Sequence, residues 1–248
     1  MRILITNDDG VYSPGIAALA QAATAFGEVR VVAPDVEMSS AGHSISSSRP
    51  LTVKKTPIAD LDAWRVNGTP ADCVGLGVFT WDNKVDLVLS GINLGPNLGN
   101  AMWHSGTLAG AKQAALLGLR GIAFSIPTPE GKHPDFDMLK PWVKSVLELL
   151  IGLPELRLVN VNLPVGKPKG IRWTCQSVRH YDGKVVAAKD PGGRPIYWYT
   201  VVPIEGAEEA SDLHAVQQGM VSMTPLRLDL TDHEQLENAK SLEKIRFA

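Results

Sequence analysis

The stretch "ILITNDDG" ends a short apolar run in Asn7, Asp8, Asp9 and Gly10. Two neighbouring carboxylates repel one another, and one must take up a proton unless a cation sits between them. Hard divalent ions prefer oxygen ligands, commonly one or two carboxylates with neutral oxygens and water. Asp8 and Asp9 with a serine hydroxyl and an asparagine carbonyl would form such a set. The competing reading is that the two aspartates cap the following helix or start a turn. A second candidate is "HSGTLAGA", in which Ser105, Gly106 and Thr107 precede a helical stretch. Free N–H groups and the positive end of a helix make such a position an anion site, although an ordinary Ser/Thr N-cap reads the same way. "GINLGPNLGN" packs three glycines and three asparagines, Asn93 and Asn97 among them, into ten residues. It fits a ligand loop or a turn-rich connection. His43 could donate to a phosphate or protonate a leaving group, or stand by in a polar loop. His104 is equally ambiguous.

These residues need elements to position them. Residues 3–6 are rich in β-branched side chains and read as a strand buried on both faces. The alanine-rich 15–26 reads as a helix ended by Gly27, and "EVRVVAP" as a strand stopped by Pro34. Strand, helix, strand at this spacing is a βαβ unit and demands a parallel sheet. The serine-rich "DVEMSSAGHSISSSRP" is a long loop carrying Ser39, Ser40 and His43. "LTVKK" and "AWRVNG" read as strands. "TPADCVGLGVF" reads as a helix with Thr69 as N-cap, Pro70 first and Asp72 completing a capping box. "VDLVLSG", "GIAFSIP" and "RLVNVNLP" continue the strands, with helices in "TLAGAKQAALLG" and "DMLKPWVKSVLELLIG". The alternation predicts a three-layer α/β core with a Rossmann-like, mostly parallel sheet over residues 1–164.

Beyond 164 the rhythm changes to a C-terminal extension, 165–248. "GIRWTCQSV", "RHYDGKVVAAK" and "IYWYTVVPI" read as strands with turns at Asp182-Gly183 and Pro191-Gly192-Gly193, forming a β-rich arm. A short helix ("SDLHAVQQG"), a strand ("MVSMTPL") and a polar terminal helix ("DHEQLENAKSLEKI") follow. In open parallel sheets ligands bind beyond the carboxyl ends of the strands, where strand order reverses. The exits carrying Asp8 and Asp9, Ser39 and His43, and Asn93 and Asn97 would share that edge.

Composition narrows the function. The chain has 248 residues, 44% of them hydrophobic, which is enough for a sizeable core. A formal charge of -2 and the lack of a basic run argue against nucleic-acid polymers as partners. Cys73 and Cys175 form no metal or disulfide pattern, which fits a reducing compartment. The start enters a strand directly, without the pattern of a secretory leader, and no run is long enough to span a membrane. A cytoplasmic protein without membrane partners is expected.

The ordered set "MRILITNDDG", "VVAPDVEMSSAGHSIS", "NGTPADCV", "SGINLGPNLG", "HSGTLAGA", "DPGGRPIYW" and "GMVSMTPL" resembles the SurE family of stationary-phase survival proteins. The resemblance covers nearly the whole chain. It implies a divalent-metal-dependent phosphatase of nucleoside 5′-monophosphates, with 3′-nucleotides and short polyphosphate as further substrates to test. It implies one Mg²⁺ or Mn²⁺ per subunit on Asp8, Asp9, Ser39 and Asn93. It places phosphate contacts on Asn97, Ser105, Gly106 and Thr107. In a site of this kind Asp8 would orient or deprotonate the attacking water, Asn97 would hold the phosphate and His43 would assist the leaving group, which makes these three the catalytic candidates. It also implies a homodimer or homotetramer built by exchange of the C-terminal arm. Two positions depart from the family pattern. Leu94 stands where many members carry a basic residue, and Gly192 where many carry arginine in the arm turn.

Three rival readings stand beside this one. Haloacid-dehalogenase-like phosphatases also place an aspartate after a first strand, as a nucleophile, but favour Asp-x-Asp over Asp-Asp-Gly. Phospho-receiver domains carry an acidic pair there too, but are shorter and need an aspartate at a later strand end, where "VDLVLSGIN" offers none. A metal-dependent nucleotide-binding module without turnover would look the same in sequence.

Overall fold

A computed structural model of the chain describes residues 1–58, 61–128, 133–177, 182–202 and 207–240. Its centre is a nine-stranded sheet. The strands, in chain order, are β1 (Arg2–Thr6), β2 (Glu28–Pro34), β3 (Val53–Lys55), β4 (Asp62–Val66), β5 (Leu87–Leu94), β6 (Arg120–Ile126), β7 (Leu158–Asn162), β8 (Ile171–Trp173) and β11 (Val221–Pro225). Their spatial order is β3-β4-β2-β1-β5-β6-β7-β11-β8. The run from β4 to β7 is parallel, while β3 and β11 pair antiparallel with β4 and β7. The remaining strands, β9 (Asp182–Lys189) and β10 (Pro195–Val202), form a separate two-stranded hairpin.

Helices α1 (Pro14–Ala23) and α4 (Phe136–Ile151) cover one face, and α2 (Pro70–Phe79) and α3 (Gly106–Leu116) the other. Side chains alternate across a strand. Ile3 and Ile5 of β1 therefore enter the core under α1 and α4, while Leu4 packs with Cys73 and Val74 of α2. Strand β1 is buried on both faces, which explains its uninterrupted apolar run. The helix starts follow local chemistry. The Thr69 hydroxyl accepts from the Asp72 amide, and the Asp72 carboxylate accepts from the Thr69 amide, completing the expected capping box. Ser13 caps α1, with Pro14 in the first turn. That helix ends at Ala23, earlier than the expected Gly27, with Thr24 as its C-cap, the Thr24 amide donating to the Ala20 carbonyl and its hydroxyl to the Gln21 carbonyl.

The segment after residue 164 does more than form an arm. Strands β8 and β11 extend the main sheet, and α5 (Asp212–Gln217) packs on β11. A last helix, α6 (His233–Ala239), lies exposed. The rest of the expected terminal helix, 241–245, lies outside the described residues, as do 178–181 and 203–204 of the expected arm strands. Asp182 and Gly183 do not form the expected turn. They begin β9, paired with Val202 and Val201, so cross-strand pairing overrides the local Asp-Gly signal. The turn at the hairpin tip is present. It is closed by Asp190, whose carboxylate accepts from the Arg194 amide at 2.9 Å and from its Nε at 2.8 Å. Tyr197, Trp198 and Tyr199 stand 62–69% exposed along β10. Among the described residues no helix is long and apolar enough to cross a membrane.

Candidate active site

The switch point of the sheet lies between β1 and β5. From β1 the chain steps outward to β2 on one side, and later returns to β5 on the other. Crevices of this kind collect ligands because loops diverge there and leave the strand ends open. The tip of β1 delivers Asp8 and Asp9. The loop after β2 is tied to that tip by the Met38 amide, which donates to the Asp8 carbonyl at 2.7 Å. Strand β5 changes register between Ser90 and Asn93, an irregularity of the kind that re-aims a side chain. Asn93 turns its Nδ2 to the Gly95 carbonyl at 2.7 Å, so its Oδ1 faces the other way. Asp8, Ser39, Ser40, Asn93, Pro96, Asn97, His104 and Ser105 line one open cleft of about 290 Å³.

Asp8 is only 4% exposed. Its Oδ1 accepts from the Thr107 hydroxyl at 2.7 Å. Helix α3 begins directly over it. A Cβ added at Gly106 would lie 2.7 Å from the Asp8 Cβ, so only glycine lets the helix start so close to the carboxylate. Ser105 caps that helix by accepting from the Leu108 amide at 2.9 Å. Burial pushes the Asp8 carboxyl up, against the hydrogen bonds from Thr107 that favour its charged form. Burial and then the Asp8 charge push the neighbouring Asp9 up to about 7, against the Leu94 amide that donates to Asp9 Oδ2 at 3.3 Å. Glu37 adds to the negative field on both.

The donor set suits a hard divalent cation. Two carboxylates, an asparagine oxygen and a hydroxyl are all oxygen donors. The burial and repulsion that raise Asp8 and Asp9 are what a cation between them would offset. Among the described residues no three His, Cys, Asp or Glu side chains gather around one point, so a cation here would rest on the two carboxylates and neutral oxygens.

A family model described as survival protein SurE matches residues 3–183. The chain belongs to the SurE family. The 5′-nucleotidase SurE 1 of Thermus thermophilus is 48% identical to this SurE chain over 247 residues, with 98% of each chain covered. The 5′-nucleotidase SurE of Deinococcus radiodurans is 45% identical over 237 residues, covering 93% of this chain and 88% of the relative. The crystal structure of the SurE protein from Aquifex aeolicus matches with a TM-score of 0.84 at 41% identity, covering 98% of this chain and 100% of that one.

Within this SurE fold most of the expected site residues come together. Asp8, Ser39, Asn93, Asn97 and Ser105 share the cleft, with Asp9, Gly106 and Thr107 directly behind its wall. Ser39 is exposed at the rim, its hydroxyl donating to Glu37 at 2.6 Å. His43 does not join them. Its Nε2 meets Gln113 Oε1 at 2.8 Å, and the ring lines a neighbouring cavity between Trp103, Lys112 and Arg227. Leu94 lines the cleft with an apolar side chain.

Sequence reasoning missed the asparagines of β7. Asn160 and Asn162 are fully buried, and each donates to the Asn97 carbonyl, at 2.7 and 3.1 Å, while the Asn97 amide donates to Asn162 Oδ1 at 2.9 Å. The Asn97 side chain in turn donates to Ser125 at 2.8 Å and Thr107 at 3.2 Å. The signal was present as two asparagines inside the otherwise apolar "RLVNVNLP". Polar groups in a strand buried on both faces must find partners.

Proposed function

We propose that the chain is a divalent-metal-dependent phosphomonoesterase that hydrolyses nucleoside 5′-monophosphates to nucleoside and phosphate. The observation that carries this reading is the Thr107–Asp8 contact. It sets a carboxylate suited to a cation beside a helix N-terminus suited to an anion, at the switch point of a parallel sheet. The names of the SurE relatives, 5′-nucleotidases matched over nearly full length, support it.

Asp8, Asp9, Asn93 and Ser39 would hold one Mg²⁺ or Mn²⁺. When bound, such an ion polarises the phosphoryl group and lowers the pKa of water. The residues of the chain do the rest. Asp8, buried and oriented by Thr107, holds the attacking water or accepts its proton. The Ser105 hydroxyl and the first turn of α3 favour the negative phosphoryl oxygens as charge redistributes. Asn97 spends its Nδ2 on Thr107 and Ser125, so contact with a phosphate oxygen exchanges one of these bonds for a bond to the anion. His43, bonded to Gln113, reaches the leaving group only if the 35–50 loop moves, and the mechanism here does not need it.

The exposed aromatic residues of the β9–β10 hairpin support an arm exchanged between subunits, giving a homodimer or homotetramer. A soluble cytoplasmic location is part of the same reading. The deciding experiment measures phosphate release from a panel of 5′- and 3′-nucleotides and short polyphosphate, with and without Mn²⁺. Release only with the metal supports hydrolysis. Metal-dependent binding without release would establish a nucleotide-binding module instead.

A further inference from the structure

The loop between Asn93 and Ser105 is held from two sides. The β7 asparagines grip Asn97. Two residues later, a different part of the chain grips Gly99. The Gly99 amide donates to Asp212 Oδ2 at 2.8 Å, and the Gly99 carbonyl accepts from Gln176 Nε2 at 3.1 Å. Gly99 has φ of +53°, and a Cβ there would lie 2.8 Å from the Ser177 carbonyl oxygen. Conformation and space therefore both require glycine at this point.

Asp212 serves no step of the chemistry above, yet it is fully buried. Its second oxygen, Oδ1, accepts from the Ser177 amide at 3.1 Å and the Leu213 amide at 2.7 Å. The Asp212 amide donates to the Cys175 carbonyl at 2.9 Å, and Ser177 Oγ bonds Glu208 at 2.9 Å. A carboxylate is the side chain best able to take several backbone N–H donors at once. Gln176 and Ser177 lie just before the hairpin, and Glu208 and Asp212 just after it. The root of the arm and the phosphate-side loop thus meet on one buried carboxylate.

We propose that Asp212 is a positioning residue for phosphate binding, fixing Gly99, and through it Asn97, to the root of the β9–β10 arm. The proposal deepens the phosphatase reading and rests on it for its kinetic effect. It ties a distant segment to the cleft without any contact between Asp212 and substrate.

The test compares wild type with Asp212→Asn and Gln176→Ala in the full-length chain. Asparagine has the shape of aspartate but replaces one acceptor oxygen with a donor, which must face a backbone N–H. Expected for Asp212→Asn are rises of about tenfold in the KM for nucleotide and in the Ki of inorganic phosphate. Mn²⁺ affinity measured by calorimetry stays at the wild-type value, because no cation-holding residue is altered. Gln176→Ala shows the same pattern more weakly, and carries the test if Asp212→Asn does not fold. Amide hydrogen exchange over residues 97–103 accelerates in both. An unchanged Ki for phosphate, or a parallel loss of Mn²⁺ affinity, would overturn the proposal. If wild type releases no phosphate from any nucleotide, the phosphatase reading fails. Hydrogen exchange and phosphate binding then still decide whether Asp212 holds the loop.

Discussion

Thr107 at the start of α3 donates its hydroxyl to Asp8 at the tip of β1 over 2.7 Å, and both residues are buried. They stand 99 positions apart in the chain. The bond links the first strand, which ends in carboxylates, to the helix whose N-terminus favours anions. A hydrogen bond to a charged group contributes roughly 1.5–3 kcal/mol. Thr107→Val keeps the shape and removes the donor. It is expected to lower kcat/KM about thirtyfold, the equivalent of about 2 kcal/mol, while Thr107→Ser keeps most of the activity. Steady-state phosphate release in saturating Mn²⁺ measures both.

The cation site proposed at Asp8 and Asp9 predicts that turnover depends on a divalent metal. Asp8→Asn is expected to abolish turnover with the fold intact, judged by circular dichroism and gel filtration. Near-normal rates in that variant would remove Asp8 from the mechanism. Chelation of the wild type should stop phosphate release, and Mn²⁺ should restore it. Mn²⁺ at one hundred times its Kd should stabilise the wild type by about 2.7 kcal/mol in denaturant titrations. Asp9→Asn should lose most of that gain.

Position 106, at the start of α3, leaves no room for a side chain. Gly106→Ala would place a methyl group against the Asp8 side chain, 2.7 Å from its Cβ. Overpacking of this kind costs about 1–3 kcal/mol. A drop in the thermal midpoint together with a loss of activity greater than that of Thr107→Ser is the expected pair of results. An active, fully stable Gly106→Ala protein would show that the helix can shift without disturbing the carboxylate.

The capping box of α2 gives a pH-dependent contribution whose sign can be worked out. Burial alone would raise the Asp72 carboxyl. The Ser46 and Thr69 amides that donate to it outweigh burial and hold it below the usual carboxylate value. A group depressed on folding adds stability above its unfolded pKa and loses it as pH falls through the folded value. Asp72→Asn should therefore cost roughly 0.3–1 kcal/mol at neutral pH. The difference from wild type should shrink as urea titrations are moved into acid, below the ordinary aspartate range.

The arm can be tested apart from the chemistry. Replacing Tyr197, Trp198 and Tyr199 with serine removes most of the exposed aromatic surface of β10. Light scattering coupled to gel filtration should then report a smaller species than wild type. An unchanged mass would show that these aromatic residues hold no subunit contact.

Much of this architecture was readable in the chain because local signals and global fold agree. The β1–α1–β2 unit announces itself through a doubly buried strand, an alanine-rich helix and Pro34. Thr69, Pro70 and Asp72 sit at the spacing a capping box needs. Signals failed where the deciding partner is distant. Asp182-Gly183 reads as a turn until Val201 and Val202 lie opposite it. His43 sits in the same loop as Ser39, yet its ring leaves the cleft for Gln113, seventy residues on. The asparagines of β7 have no local motif, and their role depends on Asn97 arriving beside them.

Strand β11 lies between β7 and β8, so among the described residues the last sheet strand to be synthesised fills an interior place. Until residues 221–225 leave the ribosome, β7 presents an open hydrogen-bonding edge to other nascent chains. A version of this protein shortened to the apparent core would carry a sticky border at β7 in place of a finished sheet.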